Sequence, residues 1–119
     1  MLLGKCFYYR SEYSKALRKF EELISLYPNS EFISEAKLYM AKTYLGLEEY
    51  EEAEDRLRDY SLDDKHKNEF REEAKFELGG LYFNRQEYEM AADHYDETSR
   101  KSGDKLIKAM SIYRLGECM

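Results

Sequence analysis

Apolar residues recur along this chain at helical spacing, with charged residues between them. Ala36, Met40 and Tyr44 form one such series, and Ala53, Leu57 and Tyr60 form the next. A longer period lies over this short one. The segments Leu3-Gly4-Lys5-Cys6-Phe7, Met40-Ala41-Lys42-Thr43-Tyr44, Leu78-Gly79-Gly80-Leu81-Tyr82 and Leu115-Gly116-Glu117-Cys118-Met119 follow one another at spacings of 37, 38 and 37 residues. Each reads large, small, two variable positions, large. Downstream, Tyr13, Tyr50 and Tyr88 share a register, as do Ala16, Ala53 and Ala91, and as do Phe20, Leu57 and Tyr95. Independent columns in one register over the whole chain predict a tandem repeat of helix pairs.

The pattern predicts helices over 1–10, 13–27, 31–46, 50–62, 68–85, 88–102 and 104–118. Short polar turns join the two helices of a pair: Arg10-Ser11-Glu12, Leu47-Glu48-Glu49 and Arg85-Gln86-Glu87. Between pairs, Pro28 stops one helix and Asn29 or Ser30 is placed to cap the next. Asp63 to Asn68 forms the second link, and in the third Gly103 is expected at C′ and Asp104 at the N-cap. The small residue of each series (Gly4, Ala41, Gly79, Gly116) admits a closely packed partner helix, and Ala16, Ala53 and Ala91 do the same from the other side.

These columns resemble the tetratricopeptide repeat. Leu3, Gly4, Phe7, Ala16, Phe20 and Pro28 match the family's large, small, aromatic, alanine, aromatic and proline positions. Met40, Ala41, Tyr44, Ala53 and Leu57 follow in the second unit, then Leu78, Gly79, Tyr82, Ala91 and Tyr95 in the third. The resemblance implies an all-α fold, a right-handed superhelical α-solenoid of antiparallel helix hairpins. It is expected to form a single domain over 1–119, with repeats at about 1–28, 31–65 and 68–102 and a partial one at 104–119. Two departures stand out: the period exceeds the family's usual length, and proline closes only the first unit. A narrower resemblance, to the long-repeat branch of bacterial envelope proteins such as the Tol-Pal coordinator and the outer-membrane assembly lipoprotein, rests on Leu26-Tyr27-Pro28-Asn29-Ser30 followed by Ala36, Leu38-Tyr39-Met40-Ala41 and Tyr44. That branch implies the periplasm or cell envelope, and the general family otherwise implies the cytoplasm. Apolar Leu2, Leu3 and Phe7 at one end and Ile112, Leu115 and Met119 at the other lack polar capping, so a segment of a longer array is expected.

Composition narrows the function. With 19 Lys plus Arg against 25 Asp plus Glu, the net charge of −6 disfavours nucleic acid and anionic lipid as partners. No apolar run approaches the length of about 18 residues that spans a membrane, and no signal-peptide core is present. Nucleotide, zinc-protease and hydrolase motifs are missing, so no enzyme, cofactor or metal is expected. His66 and His94 read as surface residues, and Glu48 to Asp55 as a solvated helix start favoured by the helix dipole. Arg100, Lys101, Lys105 and Lys108 are read the same way, as a solvated basic cluster. Cys6 and Cys118 hold one repeat position three units apart, too far for an intramolecular disulfide at about 10 Å per helix layer.

The resemblance also marks the helix face that lines the family's inner curve. Here that face holds Lys5, Tyr8, Tyr9, Leu38, Tyr39, Lys42, Glu73, Phe76, Glu77, Phe83, Asn84, Tyr113 and Arg114. So much aromatic surface on a helix face suits a groove that binds a peptide or protein segment, with the charged residues setting its orientation. The alternative is that some of these rings belong to the core, as in long-repeat members. Lys5 and Lys42 suit the family's clamp for C-terminal carboxylates, but Leu45 and Phe83 stand where its polar groups belong, so that ligand is not expected. The reading is a non-catalytic protein-interaction scaffold. Its rival is a self-assembly module, a homo-oligomer stacked end to end through its terminal helices.

Overall fold

The computed structural model describes all 119 residues as seven helices and no strand. They are α1 (Leu2–Tyr9), α2 (Tyr13–Leu26), α3 (Ile33–Gly46), α4 (Tyr50–Leu62), α5 (Asn68–Asn84), α6 (Tyr88–Lys101) and α7 (Lys105–Cys118). The chain forms two compact units, Met1–Arg56 and Leu57–Met119, with the boundary inside α4. In the first, α2 packs on both α1 and α3, and α1 touches α3; in the second, α6 packs on both α5 and α7, and α5 touches α7. The fold class is therefore all-α. Each unit shows the sequential helix packing of a TPR-like α-solenoid.

The turns inside the hairpins repeat atom for atom. Ser11, Glu48 and Gln86 each adopt a left-handed conformation, with φ of 61°, 61° and 64°. The amide after each reaches back to an aromatic carbonyl, Glu12 N to Phe7 O, Glu49 N to Tyr44 O and Glu87 N to Tyr82 O, at 2.8, 3.0 and 2.9 Å. The left-handed residue itself donates to Tyr8, Leu45 or Phe83 O. This is the Schellman pattern, which satisfies the last carbonyls of one helix. The carbonyls of Glu12, Glu49 and Glu87 then accept from Ala16, Ala53 and Ala91, so one residue ends a helix and its neighbour starts the next.

Across the α1–α2 and α5–α6 turns a glycine lets the two helices pack closely, while Gly116, expected to do the same, is exposed with no neighbour within 4 Å of the place its Cβ would take. A Cβ on Gly4 would stand 2.6 Å from the Phe20 ring, and one on Gly79 would stand 2.6 Å from the Tyr95 ring. Both rings are fully buried beside Ala16 and Ala91. No side chain larger than hydrogen fits without moving the ring.

Two link expectations change. Ser30 does bind the chain, accepting from Phe32 N at 3.1 Å, but it closes a separate turn and α3 begins only at Ile33. Gly103 does not provide a left-handed C′, because no glycine has positive φ. Its amide instead donates to Glu72 Oε1 at 2.9 Å. Glu72, 8% exposed, also accepts from Asn68 Nδ2 at 3.0 Å and Ser102 Oγ at 2.8 Å, tying α5 to the α6–α7 link. Asp104 caps α7 as expected, its Oδ1 accepting from Leu106 N at 2.8 Å and Ile107 N at 3.3 Å.

Candidate functional site

In the first unit, α1 and α3 bring five of the expected face residues together: Lys5, Tyr8, Tyr9, Tyr39 and Lys42. Tyr39 sits at the centre: its hydroxyl shares a 2.7 Å hydrogen bond with Tyr9, and its ring meets Tyr8 edge-on at 5.4 Å and leans on core Phe20 at 5.9 Å. Lys42 Nζ lies 4.5 Å from the Tyr39 ring centre and 5.3 Å from that of Tyr8. Lys5 Nζ lies 5.2 Å from Tyr39 and pairs with Glu35 at 3.2 Å. Each lysine charge thus rests on an aromatic face, which suits a partly dry site.

The residues of this face differ in access. Leu38 is 1% exposed, Tyr39 8% and Lys42 9%, while Tyr9 is 67% exposed. Leu38 therefore presents no surface, and Tyr39 belongs to the core cluster with Ala16, Phe20, Ala36 and Met40. The cause lies in α3, which buries Ala36 through Thr43 except Lys37 and so has no broad free side. Tyr9 is the exposed ring of this cluster, held by its bond to Tyr39 and its edge contact with Tyr8 at 5.2 Å.

In the second unit, α5 and α7 form a different surface. A cavity of about 410 Å³ opens between them, lined by Phe76, Ala109, Met110, Tyr113 and Arg114. Phe76 packs on Tyr95 at 5.6 Å, and Tyr113 is 72% exposed. The Arg114 guanidinium lies 5.3 Å from the Phe83 ring, which in turn meets Tyr88 edge-on at 5.3 Å. Glu73 and Glu77 are half-buried on α5, and Asn84 is exposed at its end. Ala109 and Met110 were not in the expected set. Met110 nonetheless holds the repeat position of Glu35 and Glu73, so the register carried its signal.

The remaining candidates fall elsewhere. His66 and His94 are not plain surface residues: His66 stacks on Tyr60 at 3.7 Å and pairs with Asp63 at 3.6 Å, and His94 leans on Tyr82 at 5.1 Å. Both cysteines are free thiols, and burial pushes that of Cys118 up. The acidic run opens α4, where Glu52 pairs with Arg56 at 2.6 Å. No group of three or more His, Cys, Asp or Glu residues is placed to hold a metal ion, and no helix is long and apolar enough to cross a membrane.

Compared with known families, residues 1–30 match the tetratricopeptide repeat, a stretch that covers the α1–α2 hairpin and the turn after it. Repeats of this kind generally mediate protein–protein interaction and are typically non-catalytic. The match is to the general repeat and says nothing of the envelope branch. No curated protein matches the chain.

Proposed function

We propose that this chain is a non-catalytic interaction scaffold that takes up a peptide or protein segment on the face of α1–α3 or on that of α5–α7. Two exposed tyrosines carry the reading. Tyr9 and Tyr113 are 67% and 72% exposed, yet Tyr9 is held by Tyr39 and Tyr113 lines the apolar cavity. A ring held at its base, as Tyr9 is, and an exposed ring beside an apolar cavity supply contact area at low entropic cost. The repeat match at 1–30 supports the same use.

The test is capture of binding proteins by the immobilised chain, compared with the Tyr9→Ala/Tyr113→Ala double variant. At about 2 kcal/mol per hot-spot ring, capture should fall well over tenfold. The helical circular dichroism spectrum and melting midpoint should stay nearly unchanged, because neither ring is in the core. Undiminished capture by the folded variant would remove the reading.

A second reading, self-assembly through the terminal helices, draws on exposed Leu2 and Leu3 of α1 and exposed Leu106 and Ile112 of α7. Exposed aliphatic residues on one helix are surface that a second copy can cover.

A further inference from the structure

Resting on the scaffold reading and narrowing it, we infer that the α5–α7 face selects a segment of another protein that places one bulky apolar side chain beside a single acidic side chain. The apolar half comes from the cavity. Phe76, Met110 and Tyr113 wall it, and the small side chain of Ala109 leaves open the space a larger residue would fill. At about 410 Å³ it has room for a leucine or phenylalanine side chain. Met110 adds an adaptable wall, able to follow either shape.

The acidic half comes from Arg114, which lines the same cavity. Its guanidinium is oriented by the Phe83 ring at 5.3 Å. Its ion pair with Glu117 is long, 3.5 Å, and both side chains are 39% exposed, so water screens and readily replaces it. A planar guanidinium has five donors in a fixed fork, and this pair occupies few of them. An incoming carboxylate can take two in parallel, the strongest arrangement available to arginine. Because Arg114 and the apolar wall share one cavity, the acidic and apolar side chains must be close neighbours in the segment.

The charge around the cavity limits the acid to one. Glu73 lies three residues before Phe76, on its side of α5, and Glu77 one turn on from Glu73. A run of acidic residues would add like charge beside them. A single carboxylate directed at Arg114 meets the one cation that lines the cavity.

The experiment uses the whole 119-residue chain, labelled with nitrogen-15, and four short peptides with acetylated and amidated ends. Their central pairs are Phe-Asp, Phe-Lys, Ala-Asp and Phe-Asp followed by two further Asp. Amide shifts of Phe76, Ala109 and Tyr113 are followed on titration. The Phe-Asp peptide should move them and bind about fivefold or more tightly than the other three, the scale of one charge-assisted hydrogen-bond pair at a partly exposed site. Arg114→Gln should abolish the preference for Phe-Asp over Phe-Lys. Ala109→Phe, a change at an exposed residue that fills the cavity, should abolish binding while leaving the rest of the spectrum in place.

Equal affinity for Phe-Asp and Phe-Lys overturns the acid selection and leaves the scaffold reading standing. Binding that survives Ala109→Phe overturns the cavity's role. If none of the peptides moves these amides, the inference fails. The scaffold reading is judged separately, by capture with the Tyr9 and Tyr113 variant.

Discussion

Phe20 and Tyr95 hold the same place in their hairpins, each fully buried against a glycine, and differ by one oxygen. That oxygen has no hydrogen-bond partner in Tyr95, and burial pushes the phenol up to about 12, with Arg114 partly opposing. A buried, unpaired hydroxyl costs about 1–3 kcal/mol. Tyr95→Phe should therefore raise stability by about 1 kcal/mol, which thermal melting would read as a midpoint a few degrees higher. A lower midpoint would mean the hydroxyl is satisfied in solution. The glycine–ring pairs were legible as columns of the repeat. The access of individual rings was not: Tyr9 and Tyr39 lie 30 residues apart in sequence, share a hydrogen bond, and end up on opposite sides of the line between surface and core.

Among the elements, the hairpin turns are the most uniform feature, and in sequence they show only as short polar joints. Their left-handed residues are serine, glutamate and glutamine, where the helix C′ position usually holds glycine. A non-glycine residue there costs about 1–2 kcal/mol in the folded state, while glycine costs about 0.5–1 kcal/mol through the unfolded chain. Gln86→Gly should thus stabilise the protein by roughly 0.5–1 kcal/mol, measurable as a higher urea midpoint at unchanged slope. Glu72 makes the second element-level prediction. Burial raises its pKa, but hydrogen bonds from Gly103, Ser102 and Asn68 outweigh it and hold the carboxyl below its ordinary value of 4.5. A depressed folded pKa means the unfolded chain takes up the proton first. The stabilisation is then fully present above pH 4.5 and lost as the pH falls through the folded value. Glu72→Gln should be less stable at neutral pH, and urea unfolding at several pH values should show a weaker loss on acidification than in the parent. This ligature was invisible in sequence, because Glu72 and Gly103 meet across 31 residues with no motif to announce them.

For the molecule as a whole, the net charge of −6 sets general repulsion between copies against the exposed aliphatic residues of α1 and α7. If self-assembly is the function, sedimentation equilibrium should show mass rising with concentration, and more steeply as salt screens the charge. A constant monomer mass across both series would leave the scaffold reading alone. Spacing along the chain was enough to set the seven helices and the register that makes Gly4, Ala41 and Gly79 alike and buried, whereas Gly116 at the same repeat position is exposed with nothing packed on it. Such features are written by local spacing and then repeated, so each column is sampled several times within one sequence. Only the tertiary structure decided which face residues reach solvent, that Leu38 and Tyr39 are buried, and that Ala109 and Met110 join Phe76, Tyr113 and Arg114 around a cavity. Exposure at one position depends on side chains brought in from helices 30 or more residues away, and that long-range arrangement has no period along the chain to be read.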